Sequence, residues 1–262
     1  MSFNAAAADY LRGRPPYPAS VFALLTARCG LRPGARVLDI GAGAGLATGP
    51  LLAAGASVTA VEPGADLAGI LRSEHPAADV VVSDFETAEL TGPFDLATVA
   101  TALHWLDPVA AIGRLSHLIE PGGWLAAWWT EFGDTARPSR FRDRLDAVYH
   151  DLLPGESGYR ESRPRSLQTE HWTEVLTGSG HFGDLEIEID DWHQTLDGGT
   201  ARELWSTFPN IRELAPPARE EFLSRLAALV DEEPGGTVDD PRQTVVYTVS
   251  RTTVPAGSAT SR

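Results

Sequence analysis

The sequence contains no lysine, and its 21 basic side chains are all arginine. Lysine is the residue that forms Schiff bases, anchors pyridoxal phosphate and contacts the phosphates in a Walker-A loop. The sequence therefore excludes those three chemistries. A bias of this kind is typical of a GC-rich genome, and we attribute the absence of lysine to that cause.

Cysteine and long apolar segments are also scarce. Cys29 is the single cysteine, which excludes an internal disulfide and a thiolate metal cluster within one chain. No apolar stretch reaches the roughly 18 residues that a transmembrane helix needs. The opening residues, MSFNAAAADYLRGRPPYP, lack the basic-then-apolar order of a signal peptide. We therefore expect a cytoplasmic protein without membrane contact.

Positive charge is in deficit, since the formal net charge is −15 at pH 7. A surface that binds nucleic acid needs clustered cations to neutralise phosphates. We therefore expect a small-molecule partner and no nucleic acid. For the assembly we expect a monomer or a homodimer.

Short apolar segments alternate with helical patterns in the first half of the chain. Five segments are predicted as strands: RVLDI (36–40), SVTAVE (57–62), DVVVSD (79–84), FDLATVATA (94–102) and GWLAAWW (123–129). Near-continuous apolar strands that alternate with helices are typical of a parallel sheet covered on both faces. Right-handed crossovers then give a doubly wound α/β fold.

The pattern changes after residue 130, and the chain is divided accordingly. Residues 1–130 are predicted to form an N-terminal lid segment and a cofactor-binding core. Residues 131–183 carry helical patterns near 138–152 and 169–179, and we interpret them as a helical substrate cap inserted after the fifth strand. The alternative is a helix pair that only covers a sheet edge. Residues 184–254 return to the same domain with strands at 185–196 and 242–251 and helices near 200–207 and 216–230, and 255–262 are predicted as a disordered tail.

A glycine-rich turn follows the first strand in the segment VLDIGAGAGLA. Asp39 ends the strand, and Gly41, Gly43 and Gly45 lie in the turn into the next helix, where glycine permits positive φ and a close approach of a ligand. The dinucleotide fingerprint G-x-G-x-x-G requires a third glycine where Leu46 stands. The acid before the turn suits an ammonium group better than a pyrophosphate. A nicotinamide cofactor is therefore disfavoured.

Acids also end the second and third predicted strands. Glu62 lies about 20 residues beyond the glycines, where a carboxylate accepts hydrogen bonds from a ribose diol. Asp84 is placed to accept from an exocyclic amine, and Phe85 is placed to flank a flat base. Each acid alone is also explained as a helix cap. Three acids at successive strand ends that face one cleft point to a nucleoside-containing ligand.

These motifs, followed by FDLATVATALHWLDP and LIEPGGWLAAWW, resemble class I S-adenosylmethionine-dependent methyltransferases, in the small-molecule branch of methyltransferase type 11 and trans-aconitate methyltransferase-like proteins. The resemblance implies a seven-stranded, mostly parallel sheet whose last strand is antiparallel. It implies S-adenosylmethionine as the cofactor, with S-adenosylhomocysteine as its product. The resemblance implies that the methionine part contacts Asp39, Gly41, Gly43 and Gly45. It implies that the ribose contacts Glu62 and that the adenine contacts Asp84 and Phe85. Thr101 is a further candidate, and the N-terminal segment implies lid residues Tyr10, Arg14 and Tyr17, for which a packing arm is the alternative.

The segment after the fourth strand carries the candidate catalytic residue. His104 is predicted to lie near the transferable methyl group as a general base or as a group that orients the acceptor, and a structural histidine is the alternative. Candidate substrate contacts are Trp105, Glu131, Trp172 and Trp192. No spacing of histidines and acids matches a zinc pattern, so no metal is expected.

Three functions stay open on these residues. The first is methyl transfer to an oxygen, nitrogen or carbon atom of a small molecule, in keeping with a bacterial secondary-metabolite tailoring enzyme. The second is a cyclisation or rearrangement that uses the same cofactor without transferring its methyl group. The third is a domain that binds without turnover, which the intact glycines and acids disfavour. The sequence does not identify the acceptor.

Overall fold

The computed structural model describes residues 13–133, 139–157 and 164–253. Its centre is a seven-stranded sheet in the order β3-β2-β1-β4-β5-β7-β6. The strands are β1 (Arg36–Ile40), β2 (Ser57–Val61), β3 (Asp79–Val81), β4 (Phe94–Ala100), β5 (Ile119–Phe132), β6 (Phe182–Asp197) and β7 (Thr237–Arg251). The first five strands pair in parallel, and β7 runs antiparallel to both β5 and β6. This confirms the doubly wound, mostly parallel sheet.

Helices connect the strands and cover the sheet. Their bounds are α1 (Ala19–Arg28), α2 (Thr48–Ala53), α3 (Ala65–Glu74), α4 (Pro108–Leu118), α5 (Arg140–Leu152), α6 (Thr169–Thr177), α7 (Gly198–Ser206), α8 (Pro209–Arg212) and α9 (Pro216–Asp231). Local signals explain several starts. The Asp107 side chain accepts from the N–H of Ala110 at the start of α4, and Pro108 fills the first helical position.

Two apolar layers hold the helices against the sheet. On one face, Val21, Leu25 and Leu51 from α1 and α2 pack against Trp128 of β5. On the other face, α4 and α6 pack against alternate residues of β4, β5 and β7, such as Trp129. Burial on both faces explains why the central strands are near-continuous apolar runs.

A third apolar cluster lies at the carboxyl end of the sheet, where β5, β6 and the start of β7 extend beyond the other strands. It joins α5 to α7, α8 and α9, and Trp205 of α7 donates to the hydroxyl of Tyr149 in α5 at 3.1 Å. The helix α6 instead buries Trp172 in the sheet layer. The packing thus divides the predicted cap 131–183: α5 joins helices from 198–231, and α6 belongs to the sheet.

Several predicted bounds differ from the structure. The third strand ends at Val81 instead of residue 84, and the last two strands are longer than predicted, since β6 begins at Phe182 and β7 at Thr237. Their extra length is stabilised by mutual pairing that continues to Asp197 and Thr237. The helices α1 and α8 were not predicted. The predicted tail lies outside the described residues, as does Tyr10.

Candidate cofactor-binding site

The glycine turn after β1 adopts the backbone conformations that require glycine. Gly41, Gly43 and Gly45 have φ values of 65°, 58° and 98°. A Cβ on Gly41 would lie 2.5 Å from the Cβ of Ala102, whereas a Cβ on Gly43 would meet nothing within 4 Å. The turn is therefore packed tightly against the protein at Gly41 and has open space at Gly43, where a ligand fits against the backbone.

Asp39 is fully buried beneath this turn. Its two carboxylate oxygens accept from the hydroxyls of Thr48 at 2.7 Å and Thr98 at 2.9 Å. Burial raises the pKa of Asp39 to about 6, although the two hydroxyls lower it. This corrects the expected direct contact with an ammonium group, because the carboxylate has no exposed surface and holds the turn from below.

Glu62 follows β2 and holds the turn from the side. One carboxylate oxygen accepts from the N–H of Gly43 at 2.9 Å, and the other accepts from the N–H of Gly64 at 2.8 Å. Burial raises the pKa of this carboxyl group, and the two backbone N–H groups lower it. A carboxylate has about four lone-pair sites, so Glu62 retains capacity for a hydroxyl donor.

The end of β3 separates two residues that were predicted to act together. Asp84 is exposed beyond the end of the strand. Phe85 is only 3% exposed, packs in the sheet layer and has the Arg114 guanidinium 5.3 Å from its ring centroid. The prediction that Phe85 flanks a base is therefore wrong for this structure, because the ring is needed in the apolar core.

Thr101 and Tyr17 meet at the end of β4. Thr101 has φ of 55°, unusual for a β-branched residue, and its N–H donates to the carbonyl of Trp128 at 2.7 Å. Its hydroxyl is 3.0 Å from the hydroxyl of Tyr17, whose ring packs edge-on against Trp128. The guanidinium of Arg14 lies 5.0 Å from the ring of Phe132. Tyr17 and Arg14, which were predicted as lid residues, therefore contact residues at the ends of β4 and β5.

His104 lies in a single 3₁₀ turn, Leu103–Trp105, that follows β4. The indole N–H of Trp129 donates to Nδ1 of His104 at 3.0 Å. Burial and the charge of Arg165 lower the pKa of His104, and Glu131 partly opposes them. His104 is therefore neutral near pH 7, and with Nδ1 accepting, its proton is assigned to Nε2.

The four predicted substrate residues occupy different environments. Trp105 is 70% exposed, with its ring 4.9 Å from that of His104. Glu131 accepts from the hydroxyl of Ser166 at 2.5 Å. Trp192 is half-buried and donates to the hydroxyl of Thr244. Trp172 is only 1% exposed and donates to a backbone carbonyl, so the prediction that it contacts the substrate is wrong for this structure.

Some residues at the site carry no motif. Thr48, Thr98 and Trp129 fix the positions of Asp39 and His104, and nothing in their sequence surroundings marks them. The parallel register places Thr98 opposite Asp39, which a sequence alone does not show. Across the described residues, no group of three His, Cys, Asp or Glu side chains suits a metal ion, and no helix there is long and apolar enough to cross a membrane.

Comparison with known proteins identifies the fold and the family. Residues 38–127 match the family described as methyltransferase domain. An uncharacterized methyltransferase from Mycobacterium tuberculosis is 35% identical over 181 residues, which cover 68% of this chain and 72% of that protein. A type II methyltransferase structure from Anaeromyxobacter dehalogenans gives a TM-score of 0.64 at 23% identity and covers 90% of this chain and 97% of its own.

A further structure, Haemonchus contortus phosphoethanolamine N-methyltransferase 2 with S-adenosyl-L-methionine, gives a TM-score of 0.55 at 14% identity and covers 95% of this chain and 57% of that chain. At such identities the two structures show the fold alone, and the mycobacterial relative shows the family. The resemblance drawn from the motifs is confirmed. The chain belongs to the class I S-adenosylmethionine-dependent methyltransferases.

Proposed function

We propose that this methyltransferase transfers the methyl group of S-adenosylmethionine to an oxygen, nitrogen or carbon atom of a small molecule. The observation that carries the proposal is the geometry of the glycine turn. Its backbone is tight against Ala102 at Gly41 and open at Gly43, and the Glu62 carboxylate lies at its side. Bacterial secondary metabolism and a cytoplasmic location are further parts of the proposal that rest on composition alone.

The residues of the turn would hold the amino-acid and ribose parts of the cofactor. Gly43 lets the methionine part approach the backbone, since no protein atom fills the space where its Cβ would lie. Glu62 is rigidly oriented by two backbone N–H donors and would accept from the ribose hydroxyls. Asp84, which is exposed at the next strand end, would accept from the adenine amine.

Asp39 would act on the cofactor through the turn. The carboxylate accepts from Thr98 of β4 and from Thr48 at the start of α2. Asp39 therefore links β1, which precedes the glycines, to β4 and to the helix that follows the glycines. The negative charge below the turn also favours an ammonium group above it. This role needs no direct contact.

S-adenosylmethionine supplies a methyl group that its positively charged sulfur already activates. The chain then has to position the acceptor and exclude water. Because the indole of Trp129 can only donate, Nδ1 of His104 is the accepting nitrogen, and Nε2 carries the proton. His104 would therefore orient the acceptor by donating to one of its oxygen or nitrogen atoms. Of the two roles predicted for His104, this geometry supports orientation over proton abstraction.

The test is transfer of an isotopic label from the cofactor. The protein is incubated with S-adenosylmethionine that carries a ¹³C-methyl group and with a small-molecule extract of bacterial cells, and the products are analysed by mass spectrometry. We expect labelled methyl in one product and an equal amount of S-adenosylhomocysteine. A product that forms without label and without S-adenosylhomocysteine would indicate the rearrangement instead. If the cofactor binds but no product forms, the protein is a binding domain. The Glu62→Gln variant is the control for cofactor dependence.

A further inference from the structure

Arg242 is a fully buried cation in the extended part of β7. It pairs with Phe132 of β5 on one side and with Trp192 of β6 on the other. Residues directly opposite on neighbouring strands point to the same face of a sheet. The guanidinium accordingly lies 4.9 Å from the Phe132 ring centroid and 5.2 Å from that of Trp192. The side chain is 0% exposed.

The hydrogen-bond donors of Arg242 are mostly unused. Nε donates to one carboxylate oxygen of Asp240 at 3.2 Å, but Nη1 and Nη2 are buried and have no acceptor among the described residues. The other oxygen of Asp240 already accepts from Nη2 of Arg142 at 2.9 Å. An arginine has five N–H donors and keeps its charge, so four of them lack an acceptor here. Such groups are costly to bury.

A second guanidinium lies against the same aromatic ring. Arg14 is 5.0 Å from the Phe132 centroid and 5.1 Å from that of Phe208. The guanidinium carbons of Arg14 and Arg242 are therefore within about 10 Å of each other. The charge of Arg14 therefore adds to that of Arg242 at this end of the sheet.

The position of Arg242 relative to the cofactor turn suits a small acceptor. Thr101 is held by the carbonyl of Trp128, and Phe132 lies four residues farther along β5. At about 3.3 Å per residue this separation is about 13 Å along the strand. An acceptor that reaches from the end of β4 to Arg242 therefore has the size of an ordinary metabolite.

We propose that Nη1 and Nη2 of Arg242 bind a carboxylate of the acceptor, so that the substrate of the proposed methyl transfer is a carboxylic acid. This inference rests on the proposed function. The fork of a guanidinium matches a carboxylate with two parallel hydrogen bonds. Rings from the two neighbouring strands lie against the guanidinium, so the N–H groups at its edge are the part that meets the anion. Since Arg242 is fully covered, a covering side chain must move to admit the ligand.

The test compares acids with their neutral amides. The full-length protein, saturated with S-adenosylhomocysteine, is titrated by calorimetry with succinate, succinamide, benzoate and benzamide. We expect at least one acid to bind about 10-fold or more tightly than its amide. In Arg242→Gln the affinity for that acid falls about 10- to 100-fold, the range of one charge-assisted hydrogen bond, and its advantage over the amide is lost. Arg225→Gln is the matched control, because it removes the same charge from a half-exposed ion pair with Asp151, and it should bind as the wild type does.

Each outcome decides a separate question. Equal binding of acids and amides by the wild type, or an unchanged preference in Arg242→Gln, overturns the carboxylate site. If Arg242→Gln does not fold by circular dichroism, Arg242→Lys decides, since it keeps the charge and loses the fork. An unchanged acid preference in that variant overturns the proposal, and a loss of several-fold at an unchanged melting temperature supports it. If the wild type does not bind S-adenosylhomocysteine, the proposed function fails, and the same titrations of cofactor-free protein still test Arg242.

Discussion

The wild-type protein is expected to lose stability as the pH rises from about 4 to above 6. Replacing Asp39 by asparagine is expected to abolish this loss. Burial raises the pKa of this carboxyl group from 3.8 to about 6 on folding. Below pH 3.8 both the folded and the unfolded chain hold the proton, so burial of the charge costs nothing. Between pH 3.8 and about 6 the unfolded chain releases this proton while the folded chain keeps it, so the free energy of unfolding falls. Above about 6 the folded chain buries the anion, and the loss of stability is complete.

The size of the effect follows from the change in pKa. Each unit is worth about 1.4 kcal/mol, so the shift from 3.8 to about 6 corresponds to about 3 kcal/mol. Asparagine has the same shape and does not ionise. Its carbonyl can accept from one of the two threonine hydroxyls, and its amide can donate to the other, because a hydroxyl both donates and accepts. The variant therefore keeps the anchor and lacks the pH dependence.

The assay is urea unfolding of both proteins at pH values between 4 and 7.5. The free energy of unfolding of Asp39→Asn, relative to the wild type, should rise by about 2.4 kcal/mol across this range, because the unfolded carboxyl group is already partly ionised at pH 4. Asp79→Asn is the control, since Asp79 is exposed at the start of β3 and should show no such rise. Parallel curves for Asp39→Asn and the wild type would refute the reasoning, because they would mean that folding does not raise the pKa of this carboxyl group.

Two further predictions concern the turn and the residue beside it. Gly41→Ala should weaken S-adenosylhomocysteine binding at least 10-fold by calorimetry and lower the stability by about 1–3 kcal/mol more than Gly34→Ala; both positions have positive φ, but only the Cβ at Gly41 collides, with Ala102. Equal losses in the two variants would contradict the packing argument. With an acceptor found by label transfer, His104→Gln should keep a larger share of the turnover rate than His104→Ala, since an amide also donates. If both variants are equally inactive and the wild-type rate falls on acidification near the pKa of a histidine, His104 is a base.

The core of the fold was predictable from local pattern. The strands at 36–40, 57–61 and 94–100 are apolar on both faces because helices cover both sides, and this produces near-continuous apolar runs that are visible without a structure. The helices α1 and α8 were not predicted, and neither was the packing of the predicted cap. Residues 140–152 have an amphipathic pattern, but the pattern does not say that their apolar face meets helices about 60 residues farther along the chain.

The candidate site likewise contains residues that the sequence predicted and residues whose placement it did not predict. Glycines 41, 43 and 45 were marked by sequence because a positive φ restricts the residue type so strongly. The placement of Phe85 and Trp172 was not, because an aromatic residue suits an apolar core and a ligand-binding surface equally well. Only the packing of α4 and α6 shows that both rings are buried.

The sequence by itself determined the doubly wound fold, the family and the turn that meets the cofactor, because each depends on residues that are near one another in the chain. The tertiary structure alone decided that Asp39 is anchored by threonines from two elements, that Trp129 selects the proton position on His104, and that Arg242 is buried with unused donors. Each of these depends on strand register or on packing between segments that are far apart in the sequence. Hydrogen bonds between residues about 25 to 60 positions apart leave no trace in local composition, since any of many polar residues could have supplied the partner.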